Sequence, residues 1–183
     1  VHTTKLCGAG VAWLLSQQIK GHIAKTTYSY KDDVHLELVA LATIADLVPL
    51  TGAKRVLVSF GLRKLAHTKR EGLLALFLDA ACDPKTIGVY QVGHIIAPRL
   101  NAMGRLESAM DSLRLICTTN NKRALELARK LSSTNLERQK FTQEAILHAS
   151  ASVNKRQLTK NIIFIAHETY QQGIVGLVAG KLV

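Results

Sequence analysis

Residues 120–153 read NNKRALELARKLSSTNLERQKFTQEAILHASASV, a run that contains no proline and no glycine. Its apolar residues recur every three or four positions, the spacing that places side chains on one face of an α-helix. These residues are Ala124, Leu127, Ala128, Leu131, Leu136, Phe141, Ala145 and Ile146. The polar patch at 132–135 loosens this pattern without a helix breaker. We therefore expect one long helix, of the kind that often connects two domains.

The chain on the amino-terminal side of this helix is predicted to form a series of shorter helices. Residues 11–23, 34–45, 54–65, 70–81 and 106–117 each carry apolar residues at helical spacing. The stretch 34–45 is almost wholly apolar, so we expect that helix to be buried on most sides.

Three segments depart from this helical series. Residues 83–104 contain three glycines, two prolines and several β-branched residues, and we expect irregular chain there. Residues 161–166, NIIFIA, predict a buried strand, and residues 171–183 predict a glycine-rich turn that enters a helix. A strand followed by such a turn is typical of the start of an α/β domain. Because the chain begins without Met and stops early in this helix, we expect it to be part of a longer protein.

The charge balance favours a polyanionic partner. The 183 residues include 24 Lys and Arg against 13 Asp and Glu, a formal net charge of +11. A basic surface that only keeps the protein in solution would give the same balance. The basic residues are spread along the chain and no apolar run is long enough for a membrane span, so no membrane partner is expected. The scattered Cys7, Cys82 and Cys117 predict reduced thiols, neither a disulfide framework nor a zinc site, and a cytoplasmic location.

Asp46 is the first candidate for a functional side chain. It ends the apolar stretch 34–45 and is followed closely by Pro49. A carboxylate buried at this position must be paired, hydrogen-bonded or bound to a metal ion. The sequence leaves open whether Asp46 binds a metal or caps a neighbouring backbone.

A second candidate is the segment Pro98–Arg105, PRLNAMGR. The arginine guanidinium groups suit phosphate oxygens, and Asn101 could hold a sugar, a base or a backbone group. Alternatively, the arginines bond carbonyl groups or a nearby acid such as Glu107. The segment Gly173–Gly176 could expose backbone N–H groups to phosphate at a helix start, although such turns often bind nothing.

Other signatures are absent from the sequence. The seven histidines show neither an HExxH motif nor any other paired spacing, and we expect most of them at the surface. No GxSxG, Walker A or GxGxxG pattern occurs.

Four segments, in chain order, resemble motifs of RecJ-type exonucleases, single-strand-specific enzymes of the Asp-His-His phosphoesterase superfamily. Residues 6–12 resemble the glycine-bearing helix start that follows the Asp-His-His motif. Residues 38–50 resemble the motif whose aspartate closes the metal site. Residues 97–105 resemble the arginine–asparagine motif, and residues 172–182 resemble the first helix of the associated second domain. The chain lacks the Asp-His-His motif and the upstream aspartates, and it has Gln171-Gln172 where the family commonly has His-Pro or a similar pair.

The resemblance implies part of a 5′-to-3′ exonuclease that hydrolyses single-stranded DNA by a two-metal mechanism in DNA repair and recombination. It implies two Mn²⁺ or Mg²⁺ ions, with Asp46 as a catalytic metal ligand and the remaining ligands outside this chain. Arg99, Asn101 and Arg105 are implied to hold the DNA, and Gly173 with Gly176 to contact phosphate or the second domain. We expect the isolated chain to be inactive, because a single carboxylate cannot hold two divalent ions.

The implied fold is a helix-rich α/β protein. Residues 1–118 would be the carboxyl-terminal part of the catalytic α/β domain, 119–158 the connecting helix, and 159–183 the start of a second α/β domain. The implied partner is single-stranded DNA, with other DNA-repair proteins left open and a monomer expected. Two alternatives remain at this stage: another Asp-His-His phosphoesterase that acts on oligonucleotides or cyclic dinucleotides, or a non-catalytic relative that serves as a binding or scaffold subunit.

Overall fold

The computed structural model describes residues 6–24, 34–153 and 162–182, and of Ile23 and Ala24 it describes the backbone only. Helices account for most of these residues, and no β-strand occurs among them. The expectation of a helix-rich protein is therefore confirmed. The α/β arrangement stays a prediction. Within the described ranges, no helix is both long enough and apolar enough to cross a bilayer.

The helices follow one another with short connections. They are α1 (Gly8–Ala24), α2 (Leu36–Ala45), α3 (Gly52–Ala66), α4 (Glu71–Asp79), α5 (Val89–Gln91), α6 (Ala97–Leu106), α7 (Met110–Cys117), α8 (Asn121–Ser152) and α9 (Gln172–Leu182). A 3₁₀ turn, Pro84–Thr86, lies between α4 and α5, and a π-helical turn, Val92–Ile96, joins α5 to α6. The long helix predicted from the sequence is α8, which continues through the polar patch at 132–135 without a break.

The prediction of irregular chain over 83–104 agrees with residues 83–88, which hold only a short 3₁₀ turn, but is wrong from Val89 onward. From Val89 to Leu106 the backbone stays helical. Pro98 suggested a break because its ring lacks an N–H group and presses on the carbonyl of the preceding turn. In the structure, the wider π-helical turn lies directly before α6. Pro98 therefore falls within the first turn of α6, where the backbone N–H group that proline lacks is not needed.

The prediction of a buried strand over 161–166 is also wrong for residues 162–166. Asn161 lies outside the described residues. Residues 162–166 form no strand, and the side chains of Ile162 and Phe164 are 78% and 82% exposed. A strand needs a neighbouring strand to accept its backbone hydrogen bonds, and none of the described residues supplies one.

Two hydrophobic clusters lie along α8. The larger cluster joins the first half of α8 to α2, α3, α4, the π-helical turn, α6 and α7, with Phe77, Ile96 and Leu131 completely buried. The smaller cluster joins Ala145 and Ala149 of α8 to Ile174 and Val178 of α9. One helix therefore takes part in both clusters and fixes where α6 and α9 lie relative to each other.

Candidate metal and nucleic-acid site

Asp46 lies at the carboxyl-terminal cap of α2, where its backbone N–H donates to the carbonyl of Ala42 at 2.9 Å. Its side chain is exposed, so the premise of a buried carboxylate is wrong. The reason is local, because α2 ends at Ala45 and Leu47 adopts a left-handed conformation (φ 53°) that turns the chain outward. Among the described residues, the Asp46 carboxylate has no hydrogen-bond or ion-pair partner. It is available to a ligand, and the capping alternative is not seen.

The start of α1 lies beside the last turns of α2. The thiol of Cys7 and the hydroxyl of Thr43 are 3.3 Å apart, and the Thr43 hydroxyl also donates to the carbonyl of Val39 at 2.6 Å. Thr43 precedes Asp46 by one helical turn. The segment with Gly8 and the segment with Asp46, which the sequence singled out separately, are therefore neighbours in space.

A carboxylate oxygen is the type of ligand that Mg²⁺ and Mn²⁺ prefer, so the chemistry of Asp46 fits either ion. Within residues 6–24, 34–153 and 162–182, no group of three His, Cys, Asp or Glu side chains is placed to hold a metal ion. Asp46 would therefore act as one ligand in a site whose other ligands come from elsewhere.

Arg99 is partly buried and is held by hydrogen bonds within the protein. Its Nε atom donates to the hydroxyl of Ser132 at 3.0 Å, and its Nη1 atom donates to the carbonyl of Ile95 at 2.7 Å. The Ser132 hydroxyl donates in turn to the carboxylate of Asp79. Arg99 thus ties α6 to α8 and α4, as in the carbonyl-bonding alternative, and one Nη1 donor and the two Nη2 donors remain for another group.

Arg105 lies in the last turn of α6 and is exposed. Its Nη1 atom donates to the carbonyl of Gly173 at 3.1 Å. A Cβ atom on Gly173 would lie 1.9 Å from the carbonyl oxygen of Arg105, so glycine is required there for the two backbones to approach. At Gly176, in contrast, a Cβ atom would have no neighbour within 4 Å among the described residues.

Asn101, one turn before Arg105, is exposed and makes no side-chain hydrogen bond in the described part of the chain.

Arg138 of α8 is a cationic residue that the sequence analysis missed. It is partly buried and donates from Nε and Nη2 to the side-chain oxygen of Asn135, at 3.3 and 3.0 Å. Burial, and after it the nearby charge of Arg105, lower the pKa of the Arg138 guanidinium. No sequence pattern marks Arg138, since it is one of many charged residues on a long helix. Only the packing of α6 against α8 brings it near Arg105.

Arg105 and Arg138 form an arginine pair whose positive charge is not balanced by nearby acidic side chains. Neither residue has a carboxylate partner among the described residues. Glu107, the acid nearest in sequence to Arg105, instead binds Lys130 at 2.8 Å. Two guanidinium groups therefore lie near each other without a counter-charge among the described residues. An anion such as a phosphate group would complete this arrangement.

Comparison with known proteins shows which proteins this chain is similar to. By sequence, the chain is similar to bacterial exonucleases specific for single-stranded DNA. These relatives are RecJ of Bacillus subtilis, 36% identical over 98% of this chain and 22% of the relative, and RecJ of Escherichia coli, 28% identical over 97% of this chain and 33% of the relative. No family model matches the chain. The chain thus spans between about a fifth and a third of the length of these relatives.

Solved structures give the same result. RecJ of Thermus thermophilus in complex with Mn²⁺ matches 96% of this chain and 26% of that protein, with a TM-score of 0.82 and 29% identity. A structure of exonuclease RecJ bound to manganese matches 99% of this chain and 44% of that protein, with a TM-score of 0.84 and 29% identity. In sequence and in fold, over nearly all of its own length, the chain resembles RecJ-type exonucleases.

Proposed function

We propose that the protein carrying this chain is a metal-dependent exonuclease that degrades single-stranded DNA in the 5′-to-3′ direction, in DNA repair and recombination. The observation that carries this proposal is the contact between Arg105 and Gly173. It joins two segments that resemble separate RecJ motifs, beside Arg138, which has no acid partner in the part of the chain that the structure describes. The net charge of +11 and the similarity to RecJ over nearly the whole chain support the same function.

Asp46 is the residue of this chain that would hold a divalent cation. Its exposed carboxylate and the Mn²⁺ and Mg²⁺ complexes of similar solved structures support this role. When bound, two such cations activate a water molecule and stabilise charge on the attacking and leaving oxygens of a phosphodiester. Asp46 contributes one oxygen ligand and negative charge, and the remaining ligands lie outside this chain.

The DNA backbone would be held by the arginine pair and by the exposed face of α6. Arg105 and Arg138 offer guanidinium donors to a phosphate group, and Asn101 offers an amide one turn away along α6. Arg99 would contribute through Nη2 and the second N–H of Nη1, because Ser132 and Ile95 occupy its other donors. Its main role in this proposal is to hold α6 against α8, and thereby to position the neighbouring groups.

Domain organisation follows the two clusters along α8. The larger cluster supports residues 1–118 as part of the catalytic domain, and the smaller one supports residues 159–183 as the start of a second domain. Residues 119–158 would connect them. Gly173 would serve as the point of close contact between the two domains, and Gly176 as an open position that a phosphate group could approach. The free thiols of Cys7, Cys82 and Cys117 support a reducing compartment, which we propose to be the cytoplasm.

The test uses the intact protein with Mn²⁺ and four substrates: 5′-labelled and 3′-labelled single strands, a blunt duplex, and a dinucleotide. We expect early release of the 5′ label, slow shortening of the 3′-labelled strand from its far end, and little action on the duplex. The isolated 183-residue chain is the control and should release no label. Failure to cleave any single strand, or faster turnover of the dinucleotide than of the long strand, would contradict the proposal.

A further inference from the structure

A cavity of about 480 Å³ lies between the second half of α8 and the segment that leads into α9. The rings of Phe141, His148 and His167 form part of its wall, and its polar lining comes from Glu144, Thr169 and Gln171. This volume is in the range of sites that bind small organic groups. None of these side chains has a role in the metal or phosphate contacts proposed above.

The two histidines are brought together by the fold, although their sequence spacing shows no pairing. Their ring centroids are 4.2 Å apart, with the planes tilted by 46°. Nδ1 of His148 is 2.7 Å from the hydroxyl of Tyr170, whose ring meets His148 edge-on. Nδ1 of His167 is 2.8 Å from the hydroxyl of Thr169. Both imidazole rings are therefore fixed in orientation, and within the described part of the chain neither Nε2 atom has a hydrogen-bond partner.

We infer that this cavity binds one base of the single-stranded DNA, an inference that rests on the proposed function. Three aromatic side chains line the cavity and can stack on a nucleobase, and base stacking on aromatic side chains does not require a particular sequence. The amide of Gln171, the hydroxyl of Thr169 and the carboxylate of Glu144 can hydrogen-bond to a base edge. The Glu144 carboxylate also repels phosphate, so the cavity selects the base rather than the backbone.

The cavity lies next to the proposed phosphate site along the same helix. Phe141 follows Arg138 by one turn of α8, and His148 follows Arg138 by ten residues, which corresponds to about 15 Å along the helix axis. A single strand whose phosphate is held by Arg105 and Arg138 can therefore reach the cavity with a base a few nucleotides away. The arginine pair fixes the register of the strand, and the cavity then receives the base at one fixed position.

A transition-metal ion held by the two imidazoles is the competing occupant. The described residues include no group of three side chains placed to ligate a metal, which favours the base. The two occupants also differ in what they require of position 167. A base needs an aromatic ring there, whereas a metal ion needs the imidazole nitrogen.

The experiment measures the affinity of the intact protein for oligo-dT without divalent metal, using a series in which one abasic nucleotide moves along the strand. We expect the abasic nucleotide to weaken binding about tenfold at one position and little elsewhere. His167→Ala should weaken binding of the unmodified strand by the same factor and remove the position dependence. His167→Phe should restore it, because a phenyl ring can stack but cannot ligate a metal. Gln143→Ala, at an exposed position of the same helix, is the matched control and should behave as wild type.

Three results would overturn the inference: a wild-type protein indifferent to the abasic nucleotide at every position, a His167→Ala variant that keeps the position dependence, or a His167→Phe variant that fails to restore it. In the last case, loss of a bound transition metal from both variants would identify a metal site instead. Hydrolysis of the unmodified strand is assayed separately with Mn²⁺. If the protein hydrolyses the strand but its binding does not depend on the base, only the role of the cavity is rejected. If binding depends on the base but no hydrolysis occurs, only the exonuclease proposal is rejected.

Discussion

Arg105 and Gly173 are in contact through both backbone and side chain, although 68 positions separate them in the sequence. The Arg105 guanidinium donates to the carbonyl of Gly173, and the carbonyl of Arg105 occupies the space that a side chain at position 173 would need. The end of α6 and the start of α9 therefore form one surface. The requirement for glycine at position 173 is steric, since its backbone conformation is open to other residues.

The first prediction concerns the stability of this contact. Gly173→Ala should lower the free energy of unfolding by about 1–3 kcal/mol, because the added Cβ would lie 1.9 Å from a backbone oxygen that cannot move away freely. Gly176→Ala, in the same helix with open space around it, should instead raise stability by about 0.5–1 kcal/mol. Urea unfolding of both variants measures the difference. Equal effects of the two substitutions would show that α6 and α9 do not pack as described.

The second prediction concerns Arg105. Arg105→Ala in the intact protein should weaken binding of single-stranded DNA and reduce the slope of log K against log [salt] by about 0.7, because one phosphate contact is lost. Arg123→Ala, which removes an exposed arginine already paired with Glu126, should leave the slope near the wild-type value. Binding titrations over a range of salt concentrations provide the measurement. An unchanged slope for Arg105→Ala would reject the phosphate contact.

The third prediction concerns Arg99, the other arginine of the motif, and its contribution to stability. Arg99→Ala should lower the free energy of unfolding by about 1–3 kcal/mol, since two charge-assisted hydrogen bonds are lost. In a double-mutant cycle, Arg99→Ala and Ser132→Ala should be coupled, because the two side chains share a hydrogen bond. Additive losses within experimental error would mean that the bond contributes nothing to stability.

The fourth prediction concerns pH. Hydrogen bonds from Lys130 and then Arg114 lower the pKa of Asp111 below its ordinary value of 3.8. The ionised carboxylate therefore stabilises the fold above that ordinary value, and this contribution is lost as the pH falls through the lower, folded-state pKa. The stability difference between wild type and Asp111→Asn should be constant at neutral pH and shrink below about pH 4. A difference that stays the same down to about pH 2 would contradict the lowered pKa.

The regular part of the fold could be predicted from the sequence because its signals are local. The apolar spacing over 120–153 predicts α8 nearly to its ends, and the apolar stretch before Asp46 predicts α2. The helix through Pro98 could not be predicted, since the cost of proline in a helix depends on the turn before it, and a π-helical turn leaves no local signature. The prediction of a strand was wrong for a related reason. The stability of a strand depends on a partner strand rather than on residues 162–166 themselves.

The candidate site was predicted only where a motif marked it. Asp46, Arg99, Asn101 and Arg105 were selected by motif, but the burial of Asp46 was misjudged because the left-handed turn at Leu47 could not be foreseen. Other contacts left no sequence signal. Arg138 approaches Arg105, and His148 approaches His167, across separate elements that only the packing of α8 brings together.

The central claim is that Asp46 helps to hold the catalytic cations, and the most direct test is the Mn²⁺-dependent hydrolysis rate of the intact protein carrying Asp46→Asn. This substitution keeps the shape of the side chain and removes its charge. Residues that only support a metal ligand already change activity about 10- to 100-fold when replaced, so we expect a loss of about 100-fold or more with unchanged thermal unfolding. Asp83→Asn, at an exposed acid elsewhere on the surface, should retain the wild-type rate. Wild-type turnover by Asp46→Asn would contradict the account.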